Sequence, residues 1–108
     1  MTNNLVTLDL TRFTATDVQK LADLQKKVWM MRRWCRCERI EKDGQKIYVL
    51  YSGDRGPLPY ASYRLIRREE GRYILEDGRT EEHIADGRTV DAVIDALPDD
   101  FYFTKYLT

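Results

Sequence analysis

Residues Thr16–Trp34, TDVQKLADLQKKVWMMRRW, form the stretch whose reading decides the fold. Leu21, Leu24, Val28, Met31 and Cys35 recur at spacings of three and four, which lines them along one face of an α-helix. Thr16 stands where an N-cap hydroxyl would accept an orphan N–H, with Thr14 as the alternative two residues earlier. Asp17 falls at the dipole-positive end, and Arg32, Arg33 and Arg36 gather at the negative end. Gln19, Lys20, Asp23, Lys26 and Lys27 occupy the opposite, solvated face. Trp29, Met30 and Trp34 widen the apolar stripe, and a stripe this broad needs a broad partner surface, which a sheet supplies. The run covers about two heptads, short of the three or four that a coiled coil needs, so packing on a sheet is the expectation.

Working outward, Leu5–Leu10 alternates apolar and polar side chains and reads as a first strand. After the helix, Glu38–Lys42 is expected to be extended, because Asp43-Gly44 is a two-residue hairpin signal. Lys46–Tyr51 is dense in β-branched and aromatic residues, as in a strand covered on both faces. Gly53–Pro59, GDRGPLP, is a loop, since its glycines and prolines cannot join a ladder. Tyr60–Arg68 alternates again, Glu70-Gly71 turns the chain, and Arg72–Glu76 pairs back. Asp77-Gly78-Arg79-Thr80 recurs as Asp86-Gly87-Arg88-Thr89, which shared turn chemistry accounts for: D-G makes the turn and Thr begins the next element. Thr89 caps a helix over Val90–Leu97, Pro98 stops it, and Phe101–Leu107 reads as a closing strand. The expectation is a single α+β domain over residues 1–108. Its order is β-α-β-β-β-β-α-β, with an antiparallel sheet packed against one long amphipathic helix and a short second helix near the C-terminus. That order resembles the Src-homology 2 layout, a sheet between two helices. The segment that would carry the phosphate-binding arginine reads Tyr48-Val49-Leu50-Tyr51-Ser52, so phosphotyrosine binding does not carry over.

A chain of 108 residues with 43% apolar and 33% charged side chains describes one soluble domain. No apolar run approaches the ~18–20 residues of a membrane span, and MTNNLVTLDL does not read as a signal peptide. A cytoplasmic location without a membrane partner is expected. Cys35 and Cys37 share a face if extended, and two thiols alone cannot close a zinc site. Net charge is zero but segregated: residues 1–40 carry +4, residues 41–72 +2 and residues 73–108 −6. Such asymmetry bears on partners.

His83, the only histidine, has no nucleophile or second ligand suggested beside it. No P-loop, G-x-S-x-G or dinucleotide fingerprint occurs. An enzyme is therefore disfavoured, and no catalytic residue, metal or cofactor is expected. Arg32, Arg33, Arg36 and Arg39 interleave with Trp29 and Trp34, and Arg64, Arg67, Arg68 and Arg72 surround the second hairpin. Arginines beside aromatics serve protein–protein hot spots and single-stranded nucleic acids alike. Seven tyrosines exceed what the strands can bury. Tyr51, Tyr60 and Tyr63 flank a loop tipped by Asp54 and Arg55, where a binding site is expected. The expected function is a small non-enzymatic interaction module or regulator that binds another protein, with a homodimer as one form of that partnership. A nucleic-acid binder using the Arg32–Arg39 cluster is the alternative. Zero net charge weighs against it. The acidic region Glu76–Asp100 offers a surface to a basic partner, or to the basic half of a second copy.

Overall fold

The computed structural model describes residues 12–54 and 60–103. The expected strand at Leu5–Leu10, Arg55 with the rest of residues 55–59, and residues 104–107 of the expected last strand lie outside the described residues. Helix α1 spans Ala15–Met30, and its cap is Thr14. Thr14 Oγ1 accepts from the Asp17 backbone N–H at 3.1 Å, and the Asp17 carboxylate accepts from the Thr14 N–H at 2.9 Å. This is a reciprocal capping box with aspartate at the third helical position, and Thr16 sits inside the first turn.

The helix ends four residues before the predicted Trp34. Arg32 adopts a left-handed conformation, φ 64°. The Arg32 N–H donates to Trp29 O at 2.9 Å and the Arg33 N–H to Val28 O at 3.3 Å. These are the two bonds of a Schellman ending, made here without the usual glycine. Met31 becomes the cap. Cys35 is buried from a strand, so its three-to-four spacing from Val28 and Met31 does not mark a helix face.

Five strands follow: β1 (Trp34–Lys42), β2 (Gln45–Gly53), β3 (Ala61–Arg68), β4 (Arg72–Asp77) and β5 (His83–Gly87). They form one antiparallel sheet in the order β1-β2-β3-β4-β5. Asp43 and Gly44, with φ of 53° and 77°, make the two-residue turn expected of them. Strand β5 was not anticipated, because Asp86-Gly87 reads as a turn. Gly87 instead lies in the strand, where a Cβ would stand 2.9 Å from Ala92 Cβ of the following helix. The first copy of the D-G-R-T echo is a turn: the Asp77 carboxylate accepts from the backbone N–H groups of Arg79 at 2.7 Å and Thr80 at 3.0 Å. Those bonds hold its carboxyl below the usual range. The two copies are alike in letters and different in structure.

Helix α2 (Val90–Ile94) is capped by Thr89 as expected, with its side chain accepting from the Ala92 N–H, and is shorter than predicted. Phe101 does not begin a strand; it ends a 3-10 turn over Asp99–Phe101 and is fully buried. Ser52 Oγ donates to its carbonyl at 2.6 Å. Leu21, Leu24 and Val28 of α1, Val90 and Val93 of α2, Leu97 and Phe101 share one core with Leu50, Leu65 and Leu75 of the sheet. Both helices therefore cover the same face, unlike the sandwiched sheet of the Src-homology 2 layout. Alternation sends Trp34, Arg36, Ile47, Val49, Tyr51, Arg64 and Ile66 to the other face. No helix among the described residues packs there.

One polar bond ties the helix cap to the sheet. Asp17 is 6% exposed, and the Tyr73 hydroxyl on β4 lies 2.7 Å from both of its carboxylate oxygens. Burial, and then the hydrogen bond to Asp17, push the Tyr73 phenol up to about 12. A phenol whose folded pKa is raised contributes stability that is full below its unfolded value near ~10. That contribution is lost as pH rises through about 12. Tyr73→Phe should cost about 1.5–3 kcal/mol, the range for a hydrogen bond to a charged group. Urea unfolding from neutral to alkaline pH checks both effects: the variant starts lower and loses less between pH ~10 and ~12.

Candidate interaction surface

The left-handed corner at Arg32 brings two tryptophans to one place. Trp29 lies on the last turn of α1, and Trp34 opens β1. Trp29 Nε1 donates to the Cys35 carbonyl at 3.1 Å, and Trp34 Nε1 donates to the Asp54 carbonyl at 2.9 Å. Trp29 nevertheless remains 61% exposed and Trp34 36%. Their polar atoms are satisfied within the chain while ring surface stays open. Together with Arg32 and Arg33 they line a recess of about 230 Å³.

Arg33 is buried beneath this recess. Its guanidinium meets the Asp54 carboxylate at 3.0 Å and the Asp100 carbonyl at 3.1 Å. Asp54 is thus held at both ends, its carboxylate by Arg33 and its carbonyl by Trp34. Arg33 and Asp54 brace the surface from inside, whereas Arg32 is exposed on it.

From Trp34 a row of rings crosses the helix-free face. Tyr60 lies 6.0 Å from Trp34 and Tyr51 lies 5.6 Å from Tyr60, centroid to centroid. The Arg79 guanidinium sits 5.5 Å over the Tyr60 ring and donates to the Tyr60 carbonyl. Arg36 pairs in register with Tyr51 across β1 and β2, and its exposed guanidinium reaches Glu38 at 3.3 Å. Trp34 lies on Gly53, where a Cβ would be only 3.0 Å from Trp34 Cζ2. The glycine at the end of β2 is a seat for the indole.

The structure gathers Trp34, Arg32, Arg36, Tyr51 and Tyr60 at the surface, with Asp54 supporting them. Tyr63 is elsewhere. Alternation turns it to the helix face, where it is buried and its hydroxyl donates to Asp100 Oδ1. Burial first, and then the Asp100 carboxylate, raise its phenol well above the ordinary range. Arg55 lies outside the described residues. The sequence does not point to Arg79 and Gly53, and it places Trp29 only within the arginine–tryptophan cluster. The spacing of five between the tryptophans was visible, but the corner between them was not.

Two of the four arginines around the second hairpin, Arg64 and Arg72, are engaged with the acidic part of the chain. Arg64 meets Glu76 at 3.6 Å and Glu81 at 2.9 Å, Lys42 meets Glu81 at 3.4 Å, and Arg72 meets Asp86 at 3.3 Å. His83 is exposed, 3.3 Å from Asp86. Among the described residues, no three His, Cys, Asp or Glu side chains are grouped to hold a metal ion, and no helix is long and apolar enough to cross a membrane. Cys35 and Cys37 are free thiols. The proximity of the two thiols lowers the Cys35 pKa and, together with burial, raises that of Cys37.

The chain matches no family model, no curated protein and no solved structure.

Gly53→Ala should lift the indole of Trp34 by a few tenths of an ångström and weaken its bond to Asp54. The expected cost is about 1 kcal/mol, the lower end for overpacking. A shifted tryptophan emission maximum and a lower urea midpoint check it; an unchanged emission spectrum would contradict the seating.

Proposed function

We propose that this chain is a non-enzymatic interaction module that binds another protein through Trp29, Arg32, Trp34, Arg36, Tyr51 and Tyr60. The observation that carries this reading is the pair of exposed tryptophans whose indole N–H groups are already bonded to the chain's own carbonyls. Such rings are held in place before a partner arrives, so little side-chain entropy remains to be lost on binding. Tryptophan, tyrosine and arginine are also the residues that dominate binding hot spots. The recess at their centre, about 230 Å³, is smaller than the roughly 300–1,000 Å³ of small-molecule pockets. It suits one inserted side chain better than a substrate.

Nucleic acid is the weaker reading. Arg36, Arg64 and Arg72 each face a carboxylate of this chain. A polyanion would have to displace those partners or share the guanidinium with them. A homodimer falls within the proposal, and sedimentation would register it.

The test is selection of binders from a displayed peptide and small-domain library, followed by affinity measurements on variants. Trp34→Ala and Tyr60→Ala should each weaken selected binders by about 2 kcal/mol or more, as central hot spots do. Arg72→Ala, on the distant β4, should leave them unchanged. Binders indifferent to Trp34 and Tyr60 would overturn the reading. So would tight oligonucleotide binding that collapses with added salt.

A further inference from the structure

We infer that the partner presents an acidic linear segment carrying one bulky apolar anchor, with the anchor seated between Trp29 and Trp34 and its flanking carboxylates on Arg32. This rests on the interaction surface proposed above and names what that surface recognises. Two observations carry it, one of shape and one of charge.

The shape is that of the recess. Trp29 and Trp34 line it together with Arg32 and Arg33, and its volume of about 230 Å³ suits a single large side chain, the arrangement in which an aromatic or aliphatic residue becomes a hot spot. Both indole N–H groups point into the chain's own backbone. What the two tryptophans offer a partner is therefore apolar ring surface, which favours Leu or Phe over a polar side chain.

The charge is that of the rim. Arg33 and Asp54 neutralise each other beneath the recess, and Arg36 and Glu38 do so beside it. Arg32 is exposed, and among the described residues no carboxylate pairs with it. It is also the residue at φ 64°. A non-glycine residue is strained there, and glycine would satisfy the same Schellman bonds. The corner thus holds a cation at a position where the backbone alone favours glycine. A carboxylate flanking the anchor can meet that guanidinium in a two-pronged, charge-assisted bond.

Arg32→Gly separates this role from a structural one. Relief of the left-handed strain should raise the urea midpoint of the free protein while loss of the guanidinium weakens the ligand. Trp29 and Trp34 are the chain's two tryptophans, so intrinsic fluorescence reports the recess directly. The probes are synthetic peptides of about ten residues, long enough at ~3.3 Å per residue to cross the site. Each carries one Leu, Phe or Ala at its centre, flanked by Asp/Glu, by Ser/Gly or by Lys/Arg. The Asp/Glu peptides with Leu or Phe should shift the emission saturably. They should bind at least tenfold more tightly than their Lys/Arg twins and than the Ala-centred peptide. Arg32→Gly should be more stable than the parent and bind them about tenfold more weakly, or worse. Equal binding by neutral or basic peptides would overturn the inference, as would unchanged affinity in Arg32→Gly. If no peptide shifts the emission while library-selected binders still depend on Trp34 and Tyr60, this partner class fails and the interaction surface stands. If that dependence is also missing, both fail.

Discussion

The left-handed residue at Arg32 is the constraint on which the rest of the structure depends. Two backbone bonds, Arg32 N–H to Trp29 O and Arg33 N–H to Val28 O, close the helix there. Had the helix run on to Trp34, Trp34 and Cys35 would lie next to each other on a helix surface. With the corner in place they are neighbours in a strand, so one faces each side of the sheet. Cys35 enters the core beneath α1, and Trp34 lies over Gly53 on the helix-free face. The first residue of β1 sets the register in which Trp34 meets Gly53 and Arg36 meets Tyr51.

Around that corner, polar bonds between distant parts of the chain hold the layers together. Tyr73 reaches the capping carboxylate Asp17, Ser52 reaches the Phe101 carbonyl, and Arg33 joins Asp54 to Asp100. Each is buried or partly buried, where an unmet partner is costly. The segregated charge of the sequence has a counterpart in the fold. Basic residues of the first two-thirds meet acidic residues of the last third: Lys20 with Asp91, Arg64 with Glu76 and Glu81, Arg72 with Asp86. Charge segregation along a chain is thus accounted for in part inside the molecule, and it is weaker evidence for an oppositely charged partner than it looks in the sequence.

The fold class was legible because it rests on strong local signals. The helix periodicity, the Asp43-Gly44 turn, the Ile47–Tyr51 run and the Thr89 cap each act within a few residues. The helix end was not legible, because its stop is an arginine in a conformation that no sequence pattern announces. Strand β5 was hidden for a similar reason: His83–Gly87 is only five residues long, and Gly87 is needed for its approach to Ala92 and not for a turn. For the surface, residue types pointed to Trp34, Tyr51 and Tyr60, and the structure sets them in one row. The same reasoning grouped Tyr63 with them, since a tyrosine's face depends on register. Tyr63 falls opposite Leu50 and belongs to the core, whereas Tyr51 falls opposite Ser62.

The proposed surface depends on Trp29 and Trp34 being held rigid while exposed. Nitrogen-15 relaxation of the two indole N–H groups in the free protein tests it most directly. Both indoles should show order parameters like those of the rigid backbone, near ~0.85, with slow solvent exchange of both protons. Values below about 0.6, or indole protons that exchange freely with water, would contradict it.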